Sequence, residues 1–387
     1  MNSQSVIALL GRRDEPTDGV EDYCRFLGQA LRSLGVELEL DYFSWAEGGW
    51  RAASGELKEK AKAWKGKWVL VQYTALAWSA RGFPLRFLPV LNLLHNAGVR
   101  LAIVFHDVEP YSGKRLVDQA RRRAQLYTMD RALHLADLGI FTLDLNVISW
   151  LKSPYTKCFF IPVGANIPLG TMGSERTSIG ATQQVAVFGI TGGDAGHAEC
   201  RLIVKALKSA VHGLGGLRLH VFGRGARDFE FELRDGLRDL SVEILVDGIL
   251  PPERIVEVLQ SSDVLLFLRG PISSRRGSAI AGIACGLPVV AYTGSETAAP
   301  ITEAGVVLIR KELQGEFADA LGRILSNREY RADLAARSRE AYRNYFSWDA
   351  IGLRYATALG ARPGVGEGLS EQALCQTPDI ATHQCKP

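Results

Sequence analysis

The chain has 387 residues, of which 47% are hydrophobic and 22% are charged. These proportions are ordinary for a globular protein, and they exclude a largely disordered chain, a fibrous repeat and a small disulfide scaffold. The formal net charge is only +3, from 45 basic and 42 acidic residues. Proteins that bind nucleic acid through counterion release carry a larger basic excess, so the composition disfavours a nucleic-acid partner.

The sequence predicts a cytoplasmic protein without a membrane span. The first apolar run, Val6–Leu10, is too short for a signal peptide, and no basic segment precedes it. The longest uncharged run, Gly277–Ser295, is interrupted by glycine and proline, which favours a helix, a turn and a buried strand over a membrane helix. The six cysteines show no CxxC spacing and no nearby histidine clusters, so we expect reduced thiols and no metal site.

The first half of the chain alternates predicted strands with predicted helices. A helix is predicted over Gly19–Leu34, where apolar residues recur at the helical spacing. Further helices are predicted near residues 87–96 and 113–136, with a short one before the last strand. The predicted strands are Val6–Leu10, Val36–Phe43, Trp68–Tyr73, Leu101–Phe105, Leu138–Thr142 and Cys158–Ile161.

A second alternating series follows a segment rich in glycine, serine and threonine. We therefore predict a first domain at 1–166, a linker at 167–182 and a second domain at 183–345. The predicted strands of the second domain are Val185–Gly189, Arg218–Phe222, Val242–Val246, Val264–Leu268 and Pro288–Tyr292. Its predicted helices are Glu199–Leu214, Pro252–Gln260, Ser278–Cys285, Leu313–Ser326 and Arg328–Tyr345. Residues 361–387 show no periodicity and are predicted to form a disordered tail.

This alternation predicts an α/β fold with two Rossmann-like domains. Strands that alternate with helices form parallel sheets that are covered by helices on both faces, a doubly wound arrangement. Ligands of such folds bind at the carboxyl ends of the strands. We therefore expect the two domains to face each other across a central cleft that holds the site.

Six segments share the pattern of a known enzyme family. One of them is Ile283–Ala291 (IACGLPVVA). The other segments are Thr17–Val20, Phe105–Asp107, Ile161–Ile167, Leu219–Gly225 with Asp247–Leu250, and Tyr345–Asp349. Together they resemble the retaining glycosyltransferases of family 4 over about residues 5–358. The resemblance implies the GT-B fold and a final helix, at 346–360, that returns to the first domain.

The chain departs from this family at two places that would contact the donor. The family has a Glu-x7-Glu pair whose second glutamate lies four residues before the Cys-Gly step, whereas this chain has Ser273 and Ala281 there. The family also has an arginine and a lysine in the loop after the first strand of the second domain. The corresponding loop, Gly189–His197, contains neither. The resemblance therefore implies a divergent member that lacks both carboxylates.

The second domain is predicted to bind the diphosphate of a nucleotide-sugar donor. Its main candidates precede or begin a predicted helix: Ser274, Arg275, Arg276, Gly277 and Ser278. A helix N-terminus attracts anions, and guanidinium groups bind phosphate oxygens in pairs. The alternative is a solvated basic loop whose serine caps the helix. Backbone N–H groups around Gly189, Thr191 and Gly192 would approach the same phosphates, and Arg224 either contacts the nucleotide or is merely exposed.

The first domain contributes His106 and Asp107 as predicted catalytic residues, and Asp18 and Gly19 as predicted donor contacts. The resemblance implies that His106 donates a hydrogen bond to the donor sugar or orients the acceptor, and the alternative is a purely structural histidine. Asp107 is a candidate base for the acceptor hydroxyl, although the resemblance implies that the leaving phosphate takes that proton. Gly19 would allow close approach to the diphosphate, whereas Asp18 would repel it unless it binds a hydroxyl.

Two basic stretches of the first domain predict peripheral contact with a membrane. Leu57–Trp68 combines five lysines with two tryptophans, and the predicted helix at 113–136 carries six lysines and arginines. Such stretches can rest on anionic lipid and would suit a lipid-linked acceptor. The alternative is that both are ordinary solvated faces.

The sequence therefore predicts a glycosyltransferase that transfers a sugar from a nucleotide-diphosphate donor to a glycan or lipid-linked acceptor. The resemblance implies retention of configuration, and the lack of a DxD-type acidic cluster agrees with a reaction that needs no metal or other cofactor. Two alternatives stay open. A catalytically inactive, glycosyltransferase-like binding partner would explain the missing carboxylates, and a nucleotide-sugar epimerase would act on the donor alone.

Overall fold

A computed structural model describes residues 4–14, 18–169, 182–210, 216–313 and 315–361. The predicted linker at 167–182 and the predicted tail at 361–387 lie almost entirely outside these residues. Within them the chain forms two six-stranded parallel sheets, each with apolar clusters on both faces. The predicted α/β fold with two doubly wound domains is confirmed.

The first sheet contains only parallel neighbours. Its strands are β1 (Gln4–Leu10), β2 (Val36–Tyr42), β3 (Trp68–Tyr73), β4 (Arg100–Phe105), β5 (Leu138–Phe141) and β6 (Cys158–Phe160). Its helices are α1 (Gly19–Ser33), α2 (Trp45–Ala63), α3 (Phe87–Asn96) and α4 (Leu116–Leu135). The spatial order is β2-β1-β3-β4-β5-β6.

The second sheet is likewise parallel throughout. Its strands are β7 (Gln183–Phe188), β8 (Leu217–Phe222), β9 (Val242–Val246), β10 (Val264–Pro271), β11 (Val289–Tyr292) and β12 (Val306–Ile309). The helices that follow are α5 (Gly193–Ala210), α6 (Glu230–Leu237), α7 (Pro252–Gln260), α8 (Gly277–Ala284), α9 (Glu316–Ser326), α10 (Arg328–Ala341) and α11 (Trp348–Ala358). The order is β12-β11-β10-β7-β8-β9, so the order reverses between β7 and β10.

Continuous apolar runs place the central strands inside each domain. Every residue of β3 (WVLVQY) is buried, as expected for a parallel strand that is covered on both faces. One face of the first sheet packs on α3 through Phe87 and Leu91, and the other packs on α1 through Leu27. The strand ends are therefore held rigidly, and the loops that leave them can carry a site.

The last helix packs on the first domain. Ile351 and Tyr355 of α11 are fully buried in the same apolar cluster as Leu27 of α1. The Trp348 indole stacks on Phe26, with ring centroids 5.4 Å apart. Because α10 belongs to the second domain, the chain crosses between the domains just before α11.

The structure contains three elements that the sequence did not predict: the helices α2 and α6 and the strand β12. Helix α2 includes Gly48, Gly49 and Gly55, and Gly49 has a φ of +77° at a kink. Glycine disfavours a helix interior, so the local pattern predicted none there. The edge strand β12 has only four residues and too little periodicity to be recognised. In addition, α5 begins at Gly193, six residues before the predicted start, so the loop after β7 is shorter than predicted.

Candidate functional site

A cavity of about 420 Å³ lies at the carboxyl end of the first sheet, where the second domain approaches it. Its wall includes the loop after β1, the start of α1 and the ends of β3 and β4. The second domain contributes the loop between β10 and α8. Six predicted site residues line it: Asp18, Gly19, His106, Asp107, Arg275 and Gly277.

Asp18 caps the helix that begins at the cavity. Its Oδ1 accepts hydrogen bonds from the backbone N–H groups of Val20 and Glu21, at 2.8 and 3.1 Å. Aspartate is a preferred N-cap residue because its carboxylate satisfies N–H groups that lack helical partners. The same groups would otherwise attract an anion. The Asp18 carboxylate therefore already provides a negative charge at the N-terminus of α1. Gly19, the next residue, is exposed.

His106 is held by a glutamine that the sequence pattern did not indicate. Its Nε2 lies 2.9 Å from Oε1 of Gln72, a nearly fully buried residue of β3. The Tyr23 ring meets the imidazole edge-on, with centroids 5.0 Å apart. Burial lowers the pKa of His106 to about 4, although the negative charge of Asp18 partly opposes this shift. The imidazole is therefore neutral near pH 7.

Asp107 has one carboxylate oxygen already engaged. Its Oδ2 accepts a hydrogen bond from the backbone N–H of Ala75 at 2.8 Å. Burial raises the pKa of Asp107, whereas this hydrogen bond and the charge of Arg275 lower it by less. The side chain is thus fixed in orientation at the cavity wall, next to His106.

Arg275 forms an ion pair with a carboxylate from a different loop. Its Nε and Nη2 lie 2.9 and 2.7 Å from Oε2 and Oε1 of Glu296, which follows β11. Burial would raise the pKa of Glu296, but the hydrogen bonds and charges of the neighbouring arginines lower it below its usual value. Ser273 Oγ also donates to Glu296 Oε2, at 3.3 Å. Most of the positive charge of Arg275 is therefore neutralised within the protein.

Arg276 and Arg269 lie beside this pair without carboxylate partners in the described part of the chain. The Nε of Arg276 is buried and makes no hydrogen bond. Burial, together with the positive charges of Arg275 and Arg269, lowers the pKa of Arg276. Helix α8 starts here, no side chain caps its N-terminus, and the half-buried Ser278 is its second residue. This edge of the second domain therefore presents unneutralised positive charge.

Ser274 connects the two domains. Its hydroxyl donates a hydrogen bond to the carbonyl of Thr142 at 2.6 Å, and its own carbonyl accepts one from the N–H of Val163 at 3.1 Å. The side chain is 3% exposed. The structure therefore gives Ser274 a place in the domain contact, away from the cavity surface.

The loop after β7 lies close to Arg269. Gly189 has a φ of +82°, and a Cβ added there would be 3.0 Å from Nη1 of Arg269. The N–H of Thr191 donates to the carboxylate of Glu199 at 2.9 Å, so a protein group already occupies this predicted phosphate contact. A Cβ added at Gly192 would meet no heavy atom within 4 Å. Of the three predicted residues, Gly189 is thus the one placed next to an arginine.

Arg224 reaches toward the first domain. Its Nη1 lies 3.6 Å from Oδ2 of Asp14, and both side chains are about half exposed or more. An exposed pair at this distance contributes about 0–1 kcal/mol. Arg224 therefore stands at the rim of the cleft, where it links the loops of the two domains.

The two basic stretches of the first domain differ in what they expose. Trp64 and Trp68 are 8% and 3% exposed, so the aromatic rings of the first stretch belong to the core. Leu116, Val117 and Tyr111, around the start of α4, are 84%, 48% and 50% exposed. No helix in the described ranges combines the length and apolarity that crossing a bilayer requires. In the second stretch, exposed apolar side chains therefore cluster at residues 111–117, around Lys114 and Arg115.

One family model matches part of the chain. Residues 195–341 match the family model of group 1 glycosyl transferases. The matched segment contains α8, the arginines beside it and Glu296, whereas the loop at Gly189–Gly192 precedes it. A search of curated proteins finds no significant match to the sequence.

Solved structures share the fold at low sequence identity. HepE of Anabaena, in complex with UDP and glucose, is 14% identical with a TM-score of 0.61, covering 93% of this chain and 100% of that one. A glycosyltransferase of Rickettsia africae is 13% identical with a TM-score of 0.63, covering 97% and 100%. A Listeria monocytogenes protein assigned as a UDP-N-acetylglucosamine 2-epimerase is 11% identical with a TM-score of 0.59, covering 92% and 96%. The two domains thus form the GT-B fold, which by itself does not determine the reaction.

The residues of this site that sequence reasoning missed include Gln72, Asn166, Arg269 and Glu296. Asn166 lines the cavity, and its Nδ2 donates to the carbonyl of Gly19 at 3.0 Å. Gln72 could have been noticed, since it is the only amide side chain in the apolar and aromatic segment Trp68–Tyr73. Glu296 follows Arg275 by 21 residues, and no local pattern links the two.

Proposed function

We propose that this protein is a glycosyltransferase that moves a sugar from a nucleotide-diphosphate donor to a hydroxyl of a glycan or lipid-linked acceptor, with retention of configuration. The observation that carries the proposal is the pair of unneutralised arginines, Arg269 and Arg276, beside the uncapped N-terminus of α8 and a sugar-sized cavity. The match to group 1 glycosyl transferases and the UDP bound in HepE support it.

The arginines would stabilise the leaving group. Two positive charges would balance the two negative charges of the donor's diphosphate, and the further negative charge that develops as the bond to the sugar breaks must also be stabilised. The free N–H groups at the start of α8 add donors for the phosphate oxygens, with Gly277 and Ser278 nearest to them. Under this proposal the arginines and the helix end neutralise the diphosphate, and no metal ion or other cofactor is required.

The cavity would hold the transferred sugar. His106 and Asp107 line its first-domain wall, and Arg275 and Gly277 line the opposite side. The sugar would therefore lie between the diphosphate and the acceptor. A front-face reaction, in which the departing phosphate accepts the proton of the acceptor hydroxyl, would give retention without a separate base. Asp107 would then bind a hydroxyl rather than remove its proton.

The acceptor would approach from the first domain. Tyr111, Leu116 and Val117 are exposed in the segment that follows His106 and Asp107, and Lys114 and Arg115 lie between them. Apolar side chains among cations suit the interface of an anionic membrane. We propose that residues 111–117 contact such a surface and bring a lipid-linked acceptor to the cavity.

A catalytically inactive binding partner is the second candidate. Asp18 and Glu199 already occupy backbone N–H groups at two loops where a diphosphate would bind, and Ser273 and Ala281 replace the two glutamates of the family. Ala281 is 2% exposed in the core of the second domain. Such a protein would keep a binding cleft without turning over a donor.

Titration with nucleotides tests the proposal. Thermal unfolding should shift upward with one of UDP, GDP, ADP and TDP, because a ligand of the native state stabilises it by mass action. Arg276→Ala should weaken that binding about tenfold or more, since a hydrogen bond to a charged group contributes about 1.5–3 kcal/mol. Arg201→Ala, at an exposed position on α5, is the matched control.

The outcomes separate the candidates. A shift with one diphosphate, reduced in Arg276→Ala alone, supports a donor site. Sugar release that requires an added acceptor then supports transfer, whereas conversion of the donor without an acceptor supports an epimerase. Binding without turnover supports the inactive partner, and no shift with any of the four nucleotides contradicts the donor site.

A further inference from the structure

Gln72 determines which nitrogen of His106 carries the proton. The Gln72 Nε2 donates a hydrogen bond to the carbonyl of Leu70 at 3.1 Å. The opposite amide orientation would place two oxygens against each other. The Gln72 Oε1 therefore faces the imidazole, 2.9 Å from Nε2 of His106. Because a carbonyl oxygen only accepts, the hydrogen must be on His106 Nε2, and Nδ1 of the neutral ring is a hydrogen-bond acceptor.

A second acceptor in the cavity wall is unpaired. The Asn166 Nδ2 donates to the carbonyl of Gly19, which fixes the orientation of that amide as well. Its Oδ1 is buried and receives no hydrogen bond. Buried polar atoms in folded proteins nearly always have a partner, so an unpaired acceptor at a cavity points to a ligand that donates. Asp107 adds a third acceptor, since the backbone of Ala75 engages only its Oδ2.

We propose that this wall of the cavity binds the hydroxyl hydrogens of a neutral sugar through His106 Nδ1 and Asn166 Oδ1, and that Gln72 is the positioning residue that keeps Nδ1 unprotonated. The proposal rests on the proposed function, because the sugar is the one that the donor carries. It reverses one of the two roles that the family resemblance implies, in which His106 donates a hydrogen bond to the donor sugar, the other being to orient the acceptor. The substrate class is a hexose with free hydroxyls on the edge that faces the first domain.

The surroundings of His106 keep the ring neutral. Asp18 and Tyr23 face it from α1, and Gln72 faces it from β3. Asp107 is its neighbour at the end of β4. The Tyr23 hydroxyl is hydrogen-bonded to Tyr355 at 2.8 Å and so is directed away from the imidazole. The negative charge of Asp18 favours protonation, but burial outweighs it, and the pKa stays near 4.

Nitrogen NMR of the intact protein tests the tautomer without any ligand. With ¹⁵N-labelled histidine, His106 should show a protonated Nε2 and an unprotonated Nδ1 from pH 5.5 to 8.5, without titrating. Gln72→Glu places a carboxylate against Nε2–H, so His106 should become an imidazolium whose Nδ1 also carries a proton. Should Gln72→Glu not fold, Gln72→Met removes the acceptor at similar volume, and a mixture of tautomers is then expected. A wild-type Nδ1–H tautomer would overturn the positioning role.

Binding tests the second half. The probes are UDP, GDP, ADP and TDP and their glucose conjugates, titrated into wild type, Gln72→Glu, Gln72→Met and Asn166→Leu. Each variant should weaken binding of the glucose conjugate about tenfold, which is the effect of losing one hydrogen bond of about 1.4 kcal/mol. Binding of the free diphosphate should stay unchanged. Equal weakening of both probes would overturn sugar recognition by these atoms. If no diphosphate binds to wild type, the proposed function fails with sugar recognition, while the tautomer is decided independently by NMR.

Discussion

The Glu296 carboxylate accepts two hydrogen bonds from the Arg275 guanidinium, with Nε–Oε2 and Nη2–Oε1 distances of 2.9 and 2.7 Å. This pair joins the loop after β11 to the loop after β10 at the edge of the cavity. The same carboxylate accepts a hydrogen bond from Ser273, one of the two positions where the family resemblance places a glutamate. A carboxylate is therefore present beside that position, but it comes from a segment 23 residues further along the chain.

Glu296→Gln should destabilise the protein by about 1–3 kcal/mol. The two side chains are only 23% and 17% exposed, so removing one charge leaves the other poorly solvated, although less so than in a fully buried pair. Urea unfolding at pH 7 measures the loss. Glu243→Gln is the matched control, since Glu243 pairs with Arg218 in an exposed setting and should change stability by less than about 1 kcal/mol.

The effect of Glu296→Gln on stability should depend on pH. Because the pKa of Glu296 is lowered below 4.5 in the folded protein, its contribution is complete above that value and is lost as the pH falls through the folded pKa. The stability difference between wild type and Glu296→Gln should therefore be constant from pH 6 to 8 and shrink below about pH 4.5. A difference that grows on acidification would contradict the ion pair.

The fold was predictable because its signals are local. Apolar runs such as β3 and the cap at Asp18 specify strand and helix within a few residues, and parallel sheets follow from their alternation. Helix α2 was not predicted because its glycines oppose helix formation, and its apolar contacts with the sheet outweigh that preference. Local propensity is a weak signal where tertiary packing decides the conformation.

The site was predictable only in part, because its pairings are not local. Residues that follow β4 in the first sheet and β10 in the second line the same cavity, because ligand sites of parallel α/β sheets lie at the carboxyl ends of the strands. Which arginine is neutralised depends on Glu296, whose position follows from the packing of the loop after β11. Likewise, the sequence predicts His106 at the end of a strand. It does not show that the buried Gln72 amide contacts the imidazole and so determines which ring nitrogen carries the proton.

Gly189→Ala should weaken diphosphate binding by moving Arg269. A Cβ at Gly189 would press on Nη1 at 3.0 Å, and the φ of +82° adds backbone strain of about 1–2 kcal/mol. Gly35→Ala separates the two effects, because Gly35 has a similar φ of +75° with no heavy atom within 4 Å of the added Cβ. Both variants should lose similar stability in urea, and only Gly189→Ala should lose affinity by calorimetry. Unchanged affinity in Gly189→Ala would remove Arg269 from the donor site.

Asp18→Ala should lower the free energy of unfolding by about 1 kcal/mol through loss of the α1 cap, while Asp18→Asn should lower it by about 0.3 kcal/mol. An asparagine side chain can still accept the hydrogen bonds from Val20 and Glu21, so the comparison separates capping from charge. Urea unfolding of both variants measures the difference. Equal destabilisation would mean that the negative charge, acting on the helix dipole, is the main contribution.

Tyr355→Phe should destabilise the return of α11 to the first domain by about 1–3 kcal/mol, because it leaves the buried Tyr23 hydroxyl without its partner. Removing both hydroxyls in Tyr23→Phe/Tyr355→Phe eliminates that unpaired group, so the double variant should lose less than the sum of the two single variants. The double-mutant cycle is measured by urea unfolding, with the exposed Tyr127→Phe as the control that changes little. Strict additivity would show that the 2.8 Å contact does not couple the two helices. Non-additivity would instead make this hydroxyl pair a specific link between α1, which begins at the cavity, and the helix that crosses back from the second domain.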